Sequence, residues 1–234
     1  WKKLWRMYRM GKPTWSFSSI KTFDQCPKKY HHTKVLKDYK EDFNTEAILY
    51  GNEFHEAAEV YVRGDVDKLD PRFDYALTAL DRLKNMKGEK LCEFKMGLTE
   101  NLEPCGFFDK DVWFRGVSDL TILDREAGVA KIFDYKTGKS AKYADKGQLE
   151  LMALATFKHF PEVKVVKSGL LFVVCNAFIK ETYTIENEPK LWEKWLGEYG
   201  KLEKAFEVDT WNAKPTGLCR AWCVVLECPH NGKR

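Results

Sequence analysis

The stretch Gly116-Val117-Ser118-Asp119-Leu120-Thr121-Ile122-Leu123-Asp124 passes through Arg125-Glu126-Ala127-Gly128 into Val129-Ala130-Lys131-Ile132-Phe133-Asp134-Tyr135-Lys136-Thr137-Gly138-Lys139. Residues 117–123 and 129–135 are rich in β-branched and aromatic side chains, and Gly128 punctuates the turn between them. That pattern predicts a β-hairpin. Asp119 falls on the first strand. Asp134 and Lys136 lie two apart at the end of the second, so their side chains leave the same face. Antiparallel pairing then brings Asp119 toward that pair, beside the apolar Val117, Ile132 and Phe133 at the edge of a core.

Two carboxylates with nothing softer nearby suit Mg²⁺ or Mn²⁺, hard cations that prefer oxygen ligands. A lysine beside such a cation can position a water and offset charge on a phosphate, while the metal activates the water and polarises the phosphoryl oxygen. A surface hairpin with a salt bridge has the same local sequence, so the rest of the chain has to decide.

The 234 residues suit one domain with appendages, and 44% hydrophobic and 14% aromatic content is enough for a sizeable core. No apolar run is long enough for a membrane span. The start, Trp1-Lys2-Lys3-Leu4-Trp5-Arg6, has no initiator Met and no apolar signal core, which reads as a trimmed or processed piece with no export signal. The net charge of +4 hides an asymmetry: residues 1–40 hold eleven Lys/Arg against two Asp, or +9, leaving −5 for the remainder. A basic, aromatic-studded front end suits a polyanion, although a solvated basic helix has the same composition. Seven cysteines without a secretory signal point to a reducing compartment, and to metal ligands or plain thiols over disulfides.

A helix is expected after Ser16 or Ser18, ending near Cys26-Pro27, with a second helix running to Leu36. Residues 37–45 are charged and loop-like. Thr45 should cap a helix to about Val62 with His55 in its middle, and another helix should span Arg72 to Met86. Strands are expected at Leu91–Leu98, Val112–Arg115, the organising hairpin, Lys167–Cys175 and Phe178–Ile185. A helix from Gln148 to Phe160 and a long one from Pro189 to Val208 complete the order, before a cysteine-rich, irregular end from Pro215. This is an α/β fold with a mixed central sheet flanked by helices. Its expected divisions are a basic helical segment over 1–45, a core over 46–208, and a Cys-rich segment over 209–234 that packs back on the first.

Asp119, fourteen residues, then Asp134-Tyr135-Lys136 resembles the PD-(D/E)XK nuclease signature. More of the chain resembles its RecB-type branch, which includes AddB-like, CRISPR-associated and phage exonucleases. Ser16-Phe17-Ser18-Ser19-Ile20 with Cys26-Pro27-Lys28-Lys29-Tyr30 is similar to the opening segment of that branch. Gly51-Asn52-Glu53-Phe54-His55-Glu56 is similar to its histidine helix, and Gln148-Leu149 to its glutamine helix. The resemblance implies a restriction-endonuclease-like core and a catalytic set of Asp119, Asp134, Lys136 and Gln148. It implies metal ligation by His55, Asp119, Asp134 and the Tyr135 backbone carbonyl, with Glu93 as a further acidic candidate. The family pattern is a glutamine, three residues, then a tyrosine, and Met152 stands at that place, which removes one expected DNA contact.

By the same resemblance, Cys219, Cys223 and Cys228 join Cys26 around a [4Fe–4S] cluster, although the three residues between Cys219 and Cys223 exceed the commoner two. Zinc on Cys219, Cys223, Cys228 and His230 is the rival, and no metal the third option. Cys92, Cys105 and Cys175 fall on or beside strands and read as structural. Lys28, Lys29, Tyr30 and Lys139 are candidate DNA contacts. The implied function is a Mg²⁺- or Mn²⁺-dependent exonuclease acting on single-stranded or end-exposed DNA in recombination, repair or phage DNA processing. It would work in the cytoplasm of a bacterium or a phage-infected host, with any helicase or recombination partner on a separate chain, because no phosphate-binding Gly-x-x-x-x-Gly-Lys motif occurs. The alternative is a catalytically silent nucleic-acid-binding module of the same fold.

Overall fold

The computed structural model describes residues 13–41, 44–142 and 144–233. The basic lead-in of residues 1–12, an expected source of DNA affinity, lies outside the described residues. The chain divides into two compact units, Phe43–Trp192 and Trp1–Asp42 with Glu193–Arg234.

In the second of these, Ser16 starts helix α1 (Phe17–Gln25) with a reciprocal cap: Ser19 N–H donates to Ser16 Oγ at 3.3 Å, and Ser16 N–H to Ser19 Oγ at 2.8 Å. Ile20 and Phe23 are its buried positions. Cys26 turns extended and stops the helix, and Pro27, which needs no partner for an N–H, opens α2 (Pro27–Tyr30). The helix expected to run to Leu36 is this single α-turn followed by a π-helical stretch, His31–Leu36, ended by Lys37 at φ 58°. His32 is buried there, 3.1 Å from both Asp38 and Glu227 carboxylates.

The unit Phe43–Trp192 carries the sheet. Helix α3 (Glu46–Arg63) starts after Thr45, whose side chain makes no cap, and ends at Gly64 with φ 90°. The expected Arg72–Met86 helix is a 3₁₀ turn, Pro71–Ala76, kinked at Phe73, and then α4 (Leu77–Lys84). Six strands follow: β1 (Glu89–Leu98), β2 (Pro104–Cys105), β3 (Phe114–Asp124), β4 (Val129–Lys136), β5 (Val165–Phe172) and β6 (Ala177–Thr184), in the sheet order β2-β1-β3-β4-β5-β6. The separate strand expected at Val112–Arg115 is the start of β3, which runs unbroken into the hairpin because its whole length pairs with β1, from Leu98↔Phe114 to Glu89↔Leu123. The short β2 was not expected. β4 and β5 are parallel, and α5 (Gly147–His159) provides the crossover that such a pair requires. Leu149, Leu151, Met152, Ala153, Leu154 and Ala155 are all buried on α5, so this helix is apolar nearly all round. The result is the restriction-endonuclease-like mixed sheet flanked by helices that the sequence implies.

The last helix, α6, is Glu188–Glu207, and the boundary between the units falls inside it. Beyond that boundary Trp195, Tyr199, Leu202 and Ala205 recur at helical spacing and are buried. Phe17 meets Trp195 edge-on at 6.0 Å, and Trp15 meets Tyr199 at 5.6 Å. The tail after Thr216 is irregular, as its lack of apolar periodicity implies. Buried Asn231 organises it by donating to the Cys223 and Val225 carbonyls at 3.1 and 2.9 Å. Among the described residues, no helix is long and apolar enough to cross a membrane.

Phe54 is 0% exposed and meets Phe73 at 5.3 Å and Tyr135 at 5.9 Å, both edge-on, so it joins α3 to β4. Phe54→Ala should cost about 3–5 kcal/mol, the usual loss for an aromatic deleted from a filled core. A urea melt with an unchanged midpoint would contradict this placement.

Candidate active site

The side-chain alternation of β1 and β3 breaks on the same rung. In β3, Gly116 faces α5, where a Cβ would collide with Met152 Cε, whereas Leu120 and Ile122 join Phe54, Ala58 and Leu80 in the core beneath α3. Ser118 and Thr121, three apart, share a face and touch through their hydroxyls at 2.8 Å. In β1, Phe94 meets His159 and Met96 accepts from the Thr156 hydroxyl, both on α5, whereas Cys92 packs on the α3 side. Between them Glu93 has φ 47°, a left-handed conformation that is strained for this residue type. The register places Glu93 opposite Asp119, between the pairs Cys92↔Leu120 and Phe94↔Ser118. The paired break turns both carboxylates toward His55 of α3. His55 Nδ1 lies 3.5 Å from Asp119 Oδ1 and 4.0 Å from Glu93 Oε1.

The ladder between β3 and β4 stops at Leu120↔Phe133. Just beyond it Tyr135 donates its N–H to Asp119 Oδ2 at 2.6 Å. Asp119 thereby stands in for the missing strand partner, and the two strands part at the site. Asp134, 4% exposed, lies on the α5 side. Gln148, in the first turn of α5, donates to Asp134 Oδ1 at 2.5 Å and accepts from Lys136 Nζ at 3.4 Å. Lys136 Nζ is 2.6 Å from the buried Asp134 Oδ2, a close ion pair. Gly51 lets α3 come close to the end of β4: a Cβ there would sit 3.4 Å from Thr137 Oγ1.

The charges are unevenly matched. Burial first, and then the Asp119 charge, push the Asp134 carboxyl up to about 6, against the pull of Lys136 and His55. Burial and Asp119 also raise Glu93. Burial alone would lower His55, but its hydrogen bond to Asp119 and the charges of Asp119, Asp134 and Glu93 win and raise it. Three carboxylates thus converge on one imidazole and one ammonium. Among the described residues, His55, Glu93 and Asp119 bring three ligand atoms within 4.8 Å of one another. That oxygen-rich set with one imidazole fits a divalent cation.

Cys105, Asp109 and Asp111 also converge within that distance, but Asp109 already accepts the Gly106 N–H at 2.6 Å, closing the loop in which they lie. In the other unit, Cys26, Cys219, Cys223 and Cys228 line one cavity of about 70 Å³ together with His230. Cys26 Sγ accepts N–H groups from Lys29 at 3.5 Å and Lys214 at 3.4 Å, and Cys219 Sγ accepts one from Thr216 at 3.4 Å. These four thiols are not drawn together as closely as around one tetrahedral ion, where sulfurs 2.3 Å from the metal would stand about 3.8 Å apart.

Other candidates are placed differently from expectation. Tyr30 is 4% exposed, stacked on Trp211 at 6.1 Å and edge-on to Phe23, so its ring serves packing and offers no face to DNA. Lys29 is tied to Glu41 at 2.6 Å. Lys139 is exposed in the loop after β4. Cys175, read as structural, is exposed in the turn before β6. The left-handed Glu93 and the Asp119–Tyr135 hydrogen bond had no sequence signal, since neither is set by local residue type.

A family profile for the PD-(D/E)XK nuclease superfamily matches residues 14–229, and the chain belongs to that superfamily. A search of curated proteins finds no match. Among solved structures, a candidate exonuclease from Eubacterium rectale is similar at 14% identity and a TM-score of 0.52, over 89% of this chain and 86% of that one. The protein SSO0001 aligns at 12% identity and a TM-score of 0.49, over 98% of this chain and 94% of that one.

A cation held here competes with protons at Asp134 and His55, both of which hold their protons to higher pH than usual. Mn²⁺ affinity should therefore rise with pH up to and through about 6, by about tenfold per unit for each proton displaced. His55→Ala should weaken Mn²⁺ binding while sparing the fold. Calorimetric titration from pH 5 to 8 reads both, and a flat affinity would contradict the proton competition.

Proposed function

We propose that this member of the PD-(D/E)XK nuclease superfamily is a RecB-type, metal-dependent deoxyribonuclease, an exonuclease acting on single-stranded or end-exposed DNA. The observation that carries the reading is the convergence of His55, Glu93 and Asp119, whose ligand atoms lie within 4.8 Å of one another, together with the 2.6 Å Asp134–Lys136 pair that feels their charge. His55, Glu93, Asp119, Asp134 and the Tyr135 carbonyl would hold Mg²⁺ or Mn²⁺. Such a cation, when bound, supplies Lewis acidity to a phosphoryl oxygen and acidifies a water. Lys136 would then face the scissile phosphate, offsetting its charge and orienting the attacking water. Gln148, which touches both Asp134 and Lys136, would keep the two in register and sets the plane of the Asp134 carboxylate. Lys139, at the mouth of the site, and Lys28 are candidate backbone contacts, where a lysine acts by releasing counterions from phosphate. The silent-module alternative predicts no need for this convergence of charge.

The four thiols around one cavity, with N–H donors aimed at two of them, support a [4Fe–4S] cluster on Cys26, Cys219, Cys223 and Cys228 as a structural staple of the unit in which they all lie. Protein purified without oxygen should be brown, carry about four irons per chain, and lose both in Cys26→Ser. Colourless protein with one zinc that is lost in His230→Ala instead would replace this reading.

Asp134→Ala and Lys136→Ala should each lower cleavage of end-labelled single-stranded DNA by at least about 100-fold, the scale on which loss of one charge-stabilising group is felt. The melting curves should remain cooperative. Turnover at the parental rate in either variant would refute the nuclease mechanism. Mononucleotide release from one labelled end, against internal fragments, decides exonuclease action.

A further inference from the structure

The face of β1 and β3 that bears Glu93 and Asp119 continues beyond them. Phe94 and Met96 point to α5, so Lys95 points to the other side, as do Val117 and Arg115 on β3. The register pairs Lys95 with Val117 and Gly97 with Arg115. From Asp119, Arg115 is four residues along the strand, about 14 Å at the usual rise. At that distance the loop between β2 and β3 brings in Phe107 and Phe108, edge to face at 5.1 Å. Phe108 is 77% exposed, a heavy exposure for a phenylalanine. Arg115 Cζ lies 5.4 Å from the Phe107 ring centre and 5.9 Å from that of Phe108, and Lys95 Nζ lies 5.9 Å from the latter.

Neither cation has a carboxylate partner within 4.0 Å among the described residues, and Arg115 Nε is a buried donor with no acceptor. The loop's own acids, Asp109 and Asp111, gather at Cys105 instead. The loop is also held close to the sheet: a Cβ on Gly97 would come 2.9 Å from the carbonyl oxygens of both Cys105 and Gly106. An exposed aromatic ring beside two cations that lack a close ion pair, on a loop held against the sheet and on the same sheet face as Glu93 and Asp119, is the combination that binds unpaired nucleic acid. The bases stack on the ring and the cations take the phosphates.

We infer that Phe108, with Lys95 and Arg115, forms a stacking platform for an unpaired strand that leads away from the metal site. This rests on the nuclease reading and adds to it the residues that would select an unpaired strand. A duplex buries the faces of all but its terminal bases, so its interior bases cannot stack on Phe108. The separation corresponds to about four nucleotides at 3.4 Å per stacked base. The platform therefore contributes only to substrates longer than that.

The test is a fluorescence-anisotropy titration in EDTA with oligothymidylates of two to eight nucleotides. Binding should step up between the dimer and the octamer. Phe108→Ala should weaken octamer binding by about 5- to 100-fold, the range for one base–aromatic stack. Phe108→Trp should restore it, and Phe108→Leu, which keeps the apolar bulk without the ring, should not. Hydrolysis of a small chromogenic phosphodiester with Mn²⁺ should be the same in all variants. Equal octamer binding by the parent and Phe108→Ala would overturn the platform, as would rescue by Phe108→Leu or an equal loss on blunt duplex. Failure of the nuclease reading would appear elsewhere, as cleavage retained by Asp134→Ala, and leaves the binding titration readable.

Discussion

The hydrogen bond from the Tyr135 N–H to Asp119 Oδ2 is the contact on which the site depends. A buried backbone donor has to be satisfied. If β3 and β4 continued their ladder past Leu120↔Phe133, strand would satisfy strand, and Asp119 would be one more residue in a closed sheet. Because a carboxylate takes that N–H, the strands separate without leaving a donor unpaired. Asp119 is fixed by this bond through one oxygen, while its other oxygen faces His55. The opening lets groups from both sides of the sheet reach one place: His55 and Glu93 from the α3 side, and Asp134, Lys136 and Gln148 from the α5 side.

The breaks in β1 and β3 serve the same opening. Alternation of period two would send Glu93 and Cys92 to opposite faces, and likewise Asp119 and Leu120. Cys92 and Leu120 are needed in the core under α3. The local change of face in both strands lets the apolar pair stay buried while the acidic pair turns to the site. The cost falls on the left-handed backbone of Glu93, where glycine or asparagine would sit more easily. Strain confined to one acidic residue that faces His55, inside a strand, is what a site imposed on a sheet looks like.

These differences mark how far the sequence can be read. The hairpin, four further elements of the sheet and helix set (β1, β5, β6 and the crossover helix) and the mixed α/β class follow from periodicity and turn residues, because each depends on neighbours within about ten positions. The two-residue spacing of Asp134 and Lys136 likewise suffices to put them on one face, and they lie 2.6 Å apart. What depends on distant partners is not visible in this way. The burial of Tyr30 is decided by Trp211 and Phe206, far along the chain. The unbroken β3 is decided by its partner β1, which holds residues 114–116 in the strand despite Gly116. The change of face at Glu93 and Asp119 exists only because the core and the site compete for the same rung.

The competition of charges at that rung explains why the fold holds its acids where it does. Gln148 occupies one Asp134 oxygen and Lys136 lies 2.6 Å from the other, while burial, and then the Asp119 charge, push the carboxyl up to about 6. A neutral amide orients the carboxylate without adding a second positive charge beside Lys136. Groups that serve stability alone tend toward full pairing, and groups that serve a ligand are left short of it. On this argument Gln148 matters because it is uncharged: a lysine or arginine in its place would bring a second cation to Asp134 beside Lys136 and oppose any metal ion there.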